Sequence, residues 1–280
     1  MTLHFICVKS YLIFHGHDII KKVRKREVVM AKKRFGDRRD ARLVRDLNPV
    51  FSIMSRIKPS RADSDVYLNQ KVDITKLVEY MEDLKKKDPN NYPTYFHVFC
   101  YALVRTIYLR PHLNRYIANY KTYERNDVSL GFVAKTSFED HADELLTNIK
   151  VEENYTLNDV RKAIGKSVEK MRSNTTGSTD NLINFITKLP GFIMKMIVGI
   201  IKFMDRHDFL PRSLCDSMPY YCSVFVSNIG VLKCDAIYHN ITNFGTNGFM
   251  VMIGEIKEEY IINAKGKPEK KALYNIWCQY

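Results

Sequence analysis

Glycine is scarce in this sequence, and the glycine motifs that hold phosphate groups are missing. Only 12 of the 280 residues are glycine, and neither Gly-x-Gly-x-x-Gly nor Gly-x-x-x-x-Gly-Lys occurs. Such motifs bind nucleotides because their backbone amides can approach the phosphates closely. The sequence therefore argues against a Rossmann-type or P-loop nucleotide site.

Cysteine is too sparse for a small secreted domain held together by disulfides. The six cysteines form no Cys-x-x-Cys pair, and no pair of histidines stands near them at zinc-ligand spacing. This usage predicts reduced thiols in a cytoplasmic protein, without a metal site.

Long uninterrupted apolar runs are also missing. Leu3–Phe14 contains Lys9 and is too short to cross a bilayer, and Leu182–Met204 contains lysines seven residues apart as well as Pro190. We therefore predict no membrane span. The lysine spacing in the second run indicates an amphipathic pair of helices laid on a sheet or on a partner.

The charge of the chain is concentrated near its N-terminus. The net charge is +13, and residues 1–45 contribute +9 of it, with 13 Lys or Arg against four acidic residues. A second methionine, Met30, opens a polar and basic stretch typical of a bacterial start. We expect residues 1–29 to be a non-native or disordered extension, 30–45 a basic lead-in, and 46–280 the folded domain.

Hydrophobic periodicity predicts alternating strands and helices in that domain. His97 lies within a predicted buried helix, and no residue three or four positions away is expected to orient it.

Thr75 is predicted to cap one helix, and Thr156 with Asp159 to form a capping box. The predicted strands are Val66–Ile74, Tyr116–Glu124 as a hairpin, Val128–Phe138, Cys222–Asn228, Ala236–Thr242 and Gly248–Glu255, with a turn near Asn263–Lys267. One predicted helix follows the Thr75 cap and continues through Lys87, and the others are Tyr95–Leu109 and Thr156–Arg172, with a polar turn at Ser173–Asp180. This order predicts one α/β domain with a mixed sheet covered by helices.

The most informative motif is the Val-Ser-Asn-Ile-Gly of residues 226–230, which follows a strand pattern. It is continued by Ile-Thr-Asn-Phe-Gly-Thr at 241–246 and Phe-Met-Val-Met-Ile-Gly at 249–254, and a helix upstream ends in Arg-Pro-His-Leu-Asn at 110–114. A serine-hydrolase elbow is excluded, because Phe225 stands where Gly-x-Ser-x-Gly requires glycine.

Together these motifs resemble the acyltransferase core of 2-oxo acid dehydrogenase complexes and of chloramphenicol acetyltransferase, over roughly residues 40–272. The resemblance implies a chloramphenicol acetyltransferase-like α/β sandwich and a trimer with its reaction channel between subunits. It also implies an acyl thioester of coenzyme A, or of a lipoyl group, as co-substrate and a small hydroxyl or thiol acceptor. By the same resemblance, Ser227 supplies the hydroxyl that stabilises the oxyanion.

The general base of that family lies in a later His-x-x-x-Asp-Gly element, and no Asp-Gly pair occurs in the 280 residues. His239 is predicted to be a surface strand residue, and His112 and His141 to be loop residues without a visible partner. We expect this chain to be C-terminally truncated and its acyltransferase activity to be impaired. Because it has no lipoyl domain or Ala/Pro-rich linker, it resembles a stand-alone acyltransferase.

Two alternatives stay open at this point. One is a non-catalytic homologue that keeps the fold for binding or assembly. The other is a nucleic-acid or anionic-surface binder that uses the basic N-terminal arm, which would bind with a steep dependence on salt. Nucleic acid is not the expected partner, because the charge outside residues 1–45 is nearly balanced.

Overall fold

The computed structural model describes residues 33–58, 60–61, 64–89, 91–135, 144–173 and 188–279. The strands are β1 (Ala41–Leu43), β2 (Tyr67–Asp73), β3 (Arg115–Ala118), β4 (Lys121–Arg125), β5 (Ser129–Lys135), β6 (Glu144–Lys150), β7 (Val224–Asn228), β8 (Met250–Ile262) and β9 (Pro268–Gln279). The helices are α1 (Pro49–Ile57), α2 (Thr75–Lys87), α3 (Tyr95–Leu109), α4 (Leu157–Ser173), α5 (Gly191–Arg206) and α6 (Arg212–Ser217). Short 3-10 turns lie at Pro111–Asn114, Pro219–Tyr221 and Gly230–Leu232.

The strands form two sheets. The main sheet has the order β2-β9-β8-β7-β5-β6, in which β7 runs parallel to β5 and β8 and every other pairing is antiparallel. The smaller sheet has the order β1-β4-β3 and is antiparallel. The predicted mixed sheet is therefore confirmed.

One face of the main sheet carries the principal core. Because side chains alternate between the faces of a strand, Val224 and Val226 of β7 point to the same side. Both are fully buried, together with Leu130 of β5 and Val251 of β8, and helices α3 and α4 supply Cys100, Val104, Ile107, Val160 and Ile164 to the same cluster. Helices thus cover this face of the sheet.

The opposite face is covered by a loop instead. Its cluster contains Phe225, Met250 and Met252 from the strands and Ala236 and Ile241 from residues 233–249. The prediction of a strand at Ala236–Thr242 is wrong, because these residues have no strand pairing. Both edges of β8 are already paired, with β7 and β9, so the segment crosses the sheet face and buries only Ala236 and Ile241.

Most local predictions are confirmed. Helix α3 has the predicted bounds, and α2 ends at Lys87 as predicted. The turn at Asn263–Lys267 joins β8 to β9 through a hydrogen bond from the Asn263 amide to the Lys267 carbonyl, 2.8 Å. β5 confirms the predicted strand as far as Lys135; the rest of that prediction, and the turn at Ser173–Asp180, lie outside the described residues. β8 is longer than predicted and has an irregularity between Ile253 and Ile256.

The two capping predictions differ in outcome. The Thr156 amide donates to the Asp159 carboxylate (2.9 Å) and the Asp159 amide to the Thr156 hydroxyl (3.3 Å), which confirms the capping box. Thr75 is not a cap, because it is the first residue of α2. Instead, the Asp73 carboxylate accepts hydrogen bonds from the Thr75 amide (3.0 Å) and hydroxyl (2.6 Å).

Within the predicted apolar pair of helices at Leu182–Met204, the structure describes the part from Lys188 onward. None of the described helices is long and apolar enough to cross a membrane. No residue of α5 is buried, so this helix does not lie on a sheet of the described chain. The other predicted arrangement, contact with a partner, stays a prediction. Only its C-terminal half packs, through Ile201 and Met204, against a small cluster around Leu210.

The described part of the basic segment packs against the rest of the domain. Ala41 of β1 is fully buried, and Arg38 is buried too. The Arg38 guanidinium donates to the carbonyl oxygens of Asp205 and Arg206, both at 3.2 Å, and the Arg39 amide donates to the Asp208 carboxylate at 2.8 Å. These contacts attach the segment to the C-terminal end of α5.

Candidate active site

Ser227 lies half-buried on the loop-covered face of the main sheet. It is paired with Met252 of β8, and Met252 is paired in turn with Trp277 of β9. Directly paired residues point to the same face, so the three side chains form one row across β7, β8 and β9. With strands about 4.8 Å apart, this row is roughly 10 Å long.

The residues that follow Ser227 end the strand and turn the chain over the sheet. The Asn228 side-chain oxygen accepts a hydrogen bond from the Gly230 amide at 3.1 Å, which closes a local turn. The Ile229 amide still donates to the Ile253 carbonyl at 3.0 Å, and the Ile229 side chain packs against the loop-covered cluster. The motif thus places the Ser227 hydroxyl one residue before the end of β7, next to a tight turn.

The hydroxyl of Ser227 is not engaged by the described part of the protein: no hydrogen bond joins it to another described residue. Ser223, four residues earlier, is different. It is buried, and its hydroxyl accepts a hydrogen bond from the Ser129 amide at 2.9 Å. Unlike Ser223, which precedes β7, Ser227 thus has a hydroxyl without a hydrogen-bond partner in the described part of the chain.

A small open cleft lies beside this row. Its lining consists of Tyr67, Ile237, Tyr238, His239, Met250, Met252, Trp277, Cys278 and Gln279. The rings of Tyr238 and Trp277 are 3.9 Å apart, and Tyr67 meets Tyr238 edge-on at 5.1 Å. Burial raises the pKa of the Cys278 thiol to about 12, so it is protonated at neutral pH and is not an activated nucleophile. Aromatic and apolar groups therefore dominate the cleft.

His239 is the one histidine among the described residues that lines this cleft. It is exposed, as predicted, but it lies in a loop and not in a strand. Its Nδ1 lies 2.9 Å from the Asn240 carbonyl oxygen. Since a carbonyl only accepts, this contact requires a proton on Nδ1.

The other candidate histidines lie elsewhere. His112 is exposed in the turn after α3, and His141 lies outside the described residues. His97 is a helix residue, as predicted, but Thr94, three residues earlier, does orient it. His97 Nδ1 accepts from the Thr94 amide (3.0 Å), and the His97 amide donates to the Thr94 hydroxyl (3.4 Å). Burial, and then the charge of Arg161, lower the pKa of His97.

Two arginines that sequence reasoning did not single out hold the loop over the Ser227 face. Arg125 of β4 donates to the Thr246 carbonyl (2.7 Å) and hydroxyl (2.6 Å). Arg61 donates to the carbonyl oxygens of Gly245 (2.7 Å) and Asn247 (2.8 Å). Burial lowers the pKa of Arg61. No local signal could have identified these contacts, because the partners are more than 100 residues apart.

Arg125 also belongs to a buried charge cluster at the small sheet. Asp40 accepts a hydrogen bond from the Tyr116 hydroxyl at 3.0 Å and lies 3.5 Å from Arg38 and 3.7 Å from Arg125. Burial, and then the neighbouring Asp40 charge, raise the pKa of Tyr116. In the described part of the chain, no group of three or more His, Cys, Asp or Glu side chains is placed to hold a metal ion.

Comparisons with known proteins agree with the fold. Residues 52–187 match the family model described as 2-oxoacid dehydrogenases acyltransferase (catalytic domain). No curated protein sequence matches the chain significantly. The segment matched by the family model ends before β7, so it does not include Ser227.

Solved structures resemble the chain over most of its length. One is a dihydrolipoamide acetyltransferase of Azotobacter vinelandii, 12% identical over 83% of this chain and 77% of that one, with a TM-score of 0.54. It was solved to examine the catalytic roles of a serine, a histidine and an asparagine of that enzyme. Another is the cubic core of a pyruvate dehydrogenase multienzyme complex, 13% identical over 83% of this chain and 77% of that one, with a TM-score of 0.54. A third is a probable dihydrolipoamide acetyltransferase of Listeria monocytogenes, 14% identical over 83% of this chain and 82% of that one, with a TM-score of 0.53. At these identities the likeness concerns the fold.

Proposed function

We propose that this protein transfers an acyl group from a thioester to a small acceptor, because residues 52–187 match the family model of 2-oxoacid dehydrogenase acyltransferase catalytic domains. The donor in this proposal is a thioester of coenzyme A or of a lipoyl group, and the acceptor is a hydroxyl or a thiol. The observation that carries it is the Ser227 hydroxyl, which binds no other described residue and stands in one cross-strand row with Met252 and Trp277 of the apolar cleft.

In the proposed reaction, the acceptor oxygen or sulfur attacks the carbonyl carbon of the thioester while a base removes the acceptor's proton. The carbonyl oxygen becomes negatively charged, and the Ser227 hydroxyl donates a hydrogen bond to it. The carbon–sulfur bond then breaks, the carbonyl re-forms, and the departing thiolate takes up the proton. Ser227 acts only as a donor, so no acyl-serine forms.

The base is the component that this sequence does not supply in the family's usual form. The 280 residues contain no Asp-Gly pair, and His239 lies on an exposed loop. We therefore propose that turnover by these residues alone is low, since a general base contributes on the order of 10²–10⁴ in rate.

Assembly and location belong to the same proposal. We propose a homotrimer, because the solved structures with this fold include the core of a multienzyme complex. We also propose a cytoplasmic location, since all the described cysteines are free thiols. Light scattering of the purified chain tests the trimer.

The function is tested by measuring thiol release from acetyl-CoA with small hydroxyl and thiol acceptors, at high protein concentration. Ser227→Ala should lower the rate by about 10²–10³, the usual effect of losing one oxyanion donor. The matched control is Ser213→Ala, which removes an exposed hydroxyl from α6. An unchanged rate in the Ser227 variant would contradict the assignment of that residue.

A non-catalytic homologue is the second candidate, favoured by the absence of the family's base motif from the sequence. Calorimetry distinguishes the two proposals. If the protein neither binds acetyl-CoA nor releases its thiol, the acyltransferase proposal fails and a binding or assembly role is favoured. Nucleic-acid binding by the basic arm is less well supported, because the guanidinium groups of Arg38 and Arg39 are engaged within the protein, with the Asp205 and Arg206 carbonyl oxygens and with the Asp208 carboxylate.

A further inference from the structure

Helix α5 exposes a continuous apolar stripe. Phe192, Met196, Ile200 and Phe203 are each more than half exposed. Their spacing of four, four and three residues places them on one side of the helix. An exposed stripe of this size, containing two phenylalanines, is unusual on the surface of a soluble domain and marks a site of interaction.

The opposite side of α5 is attached to the protein, so the orientation of the stripe is fixed. Ile201 and Met204 pack against the cluster around Leu210. Asp205 accepts hydrogen bonds from the Tyr221 hydroxyl (2.7 Å) and the Gly245 amide (3.0 Å). Asp205 is the single acidic residue of α5, and these bonds direct it inward.

Cationic side chains follow one edge of the stripe. Lys195, Lys202 and Arg206 are exposed, and their spacing of seven and four residues places them along one line of the helix. Lysine and arginine have long aliphatic stems, so the stems can lie against apolar surface while the charged ends reach a polar environment. The outer surface of α5 is therefore apolar along one line and positive along the next, without an exposed acidic group.

Helix α1 adds a second stripe next to this one. The Ser55 hydroxyl donates to the Tyr120 carbonyl at 3.0 Å, and the Arg206 guanidinium lies 5.6 Å from the centre of the Tyr120 ring. Both helices therefore contact the same turn between β3 and β4. The exposed apolar side chains of α1 are Val50, Phe51, Ile53, Met54 and Ile57, and the exposed cations Arg56 and Lys58 are close to them in sequence.

We propose that α5, with α1 beside it, lies in the interface of an anionic lipid bilayer. The 16 residues of α5 span about 24 Å, and the helix is not long and apolar enough to cross the bilayer, so it lies parallel to the surface. The apolar stripe enters the boundary between headgroups and acyl chains, and the cations bind lipid phosphates. This inference is independent of the acyltransferase proposal.

The charge pattern favours lipid over a second copy of the chain. Lysine is depleted from the buried centre of protein–protein interfaces, whereas it is typical of interfacial membrane helices. Two α5 helices packed against each other would also bring Lys195 and Lys202 near their own copies, with no exposed acidic residue of α5 to compensate.

The proposal is tested by flotation of the full chain with vesicles of phosphatidylcholine alone, or of phosphatidylcholine mixed with phosphatidylglycerol. We expect binding to the anionic vesicles and a loss of affinity of about tenfold or more in F192E/F203E. In K195E/K202E the preference for anionic vesicles should disappear. The matched control is Y260E/I262E, which places two glutamates at exposed apolar positions on the β8–β9 hairpin.

Circular dichroism and light scattering accompany each variant, to show that it is folded and in which oligomeric state. Ser227→Ala should bind vesicles as the unaltered chain does, which separates this proposal from the catalytic one. Failure of the unaltered chain to bind anionic vesicles would overturn the proposal, as would equal losses in F192E/F203E and in the control. An oligomer that F192E/F203E dissociates, without vesicle binding, would show that a second copy covers the stripe.

Discussion

Gly230 lies directly against the carbonyl group of Gly254. A Cβ atom at Gly230 would overlap the Gly254 carbonyl oxygen, and a Cβ atom at Gly254 would overlap the Ala236 amide nitrogen. Three segments can meet here only because two of them have no side chain: the turn after Ser227, strand β8, and the start of the loop over the sheet face. The glycine of the Val-Ser-Asn-Ile-Gly motif is therefore required for packing next to Ser227.

Gly230→Ala should destabilise the protein by about 1–3 kcal/mol, the usual cost of inserting a methyl group into a filled site. Gly165→Ala is the matched control. A Cβ atom at Gly165, in α4, meets no atom within 4 Å. The control should stabilise the protein by about 0.5–1 kcal/mol, because alanine favours the helix. Urea unfolding measures both; equal effects would show that the contact between Gly230 and Gly254 is not rigid.

Asp40→Ala should cost about 3–5 kcal/mol of unfolding free energy. It removes the carboxylate that lies 3.5 Å from Arg38 and 3.7 Å from Arg125, leaving two buried guanidinium groups without this partner. As a control, Asp83→Ala breaks an exposed ion pair with Lys86 (3.7 Å) and should cost less than about 1 kcal/mol. A small effect of Asp40→Ala in denaturant unfolding would mean that water replaces the carboxylate.

The capping box of α4 should make stability depend on pH. Hydrogen bonds from the Thr156 hydroxyl and amide hold the pKa of Asp159 below its ordinary value. A carboxylate whose pKa is lowered in the folded state stabilises that state above its unfolded pKa, about 3.9. This contribution is lost as the pH falls through the lower folded pKa.

Asp159→Asn should therefore reduce stability at neutral pH, and its difference from the unaltered chain should shrink below about pH 4. Thermal melts across this range measure the effect. Glu169→Gln, on the exposed side of the same helix, is the control and should change the melting temperature little at any pH. A difference that stays constant with pH would show that Asp159 acts only through its shape.

His239→Ala should change the rate of thiol release from acetyl-CoA by less than about tenfold, since an established general base contributes at least 10². The reason is its position: His239 lines the cleft but lies exposed on a loop, where its Nδ1 is bound to the Asn240 carbonyl. A loss of about 10²–10⁴, with unchanged affinity for acetyl-CoA, would instead identify His239 as the base.

Local features of the fold could be predicted from the sequence because their causes are local. The apolar spacing of Tyr95–Leu109 and the pairing of Thr156 with Asp159 involve residues a few positions apart, and both are confirmed. The cap at His97 was not predicted: a capping box is typically completed by glutamate or glutamine, whereas here Thr-x-x-His forms the same pair of bonds.

The error at Ala236–Thr242 has a non-local cause. Its composition is suited to a strand, but β8 is paired on both edges by β7 and β9, and the segment has no edge of β8 to join. In the same way, the lysine spacing in the apolar run predicts helices laid on a sheet or on a partner, whereas within the described chain the structure leaves the apolar stripe of α5 exposed. Hydrophobicity shows that a segment favours contact with apolar surface, but it does not identify that surface.

The sequence by itself determined the class of fold, the positions of most helices and strands, and the family resemblance that singled out Ser227. Only the tertiary structure decided what surrounds that serine. Strand register aligned it with Met252 and Trp277, and Arg61 and Arg125 attached the covering loop from distant parts of the chain. The physical reason is that periodicity and capping depend on neighbours within a few residues, whereas register and buried ion contacts depend on which distant segments pack together.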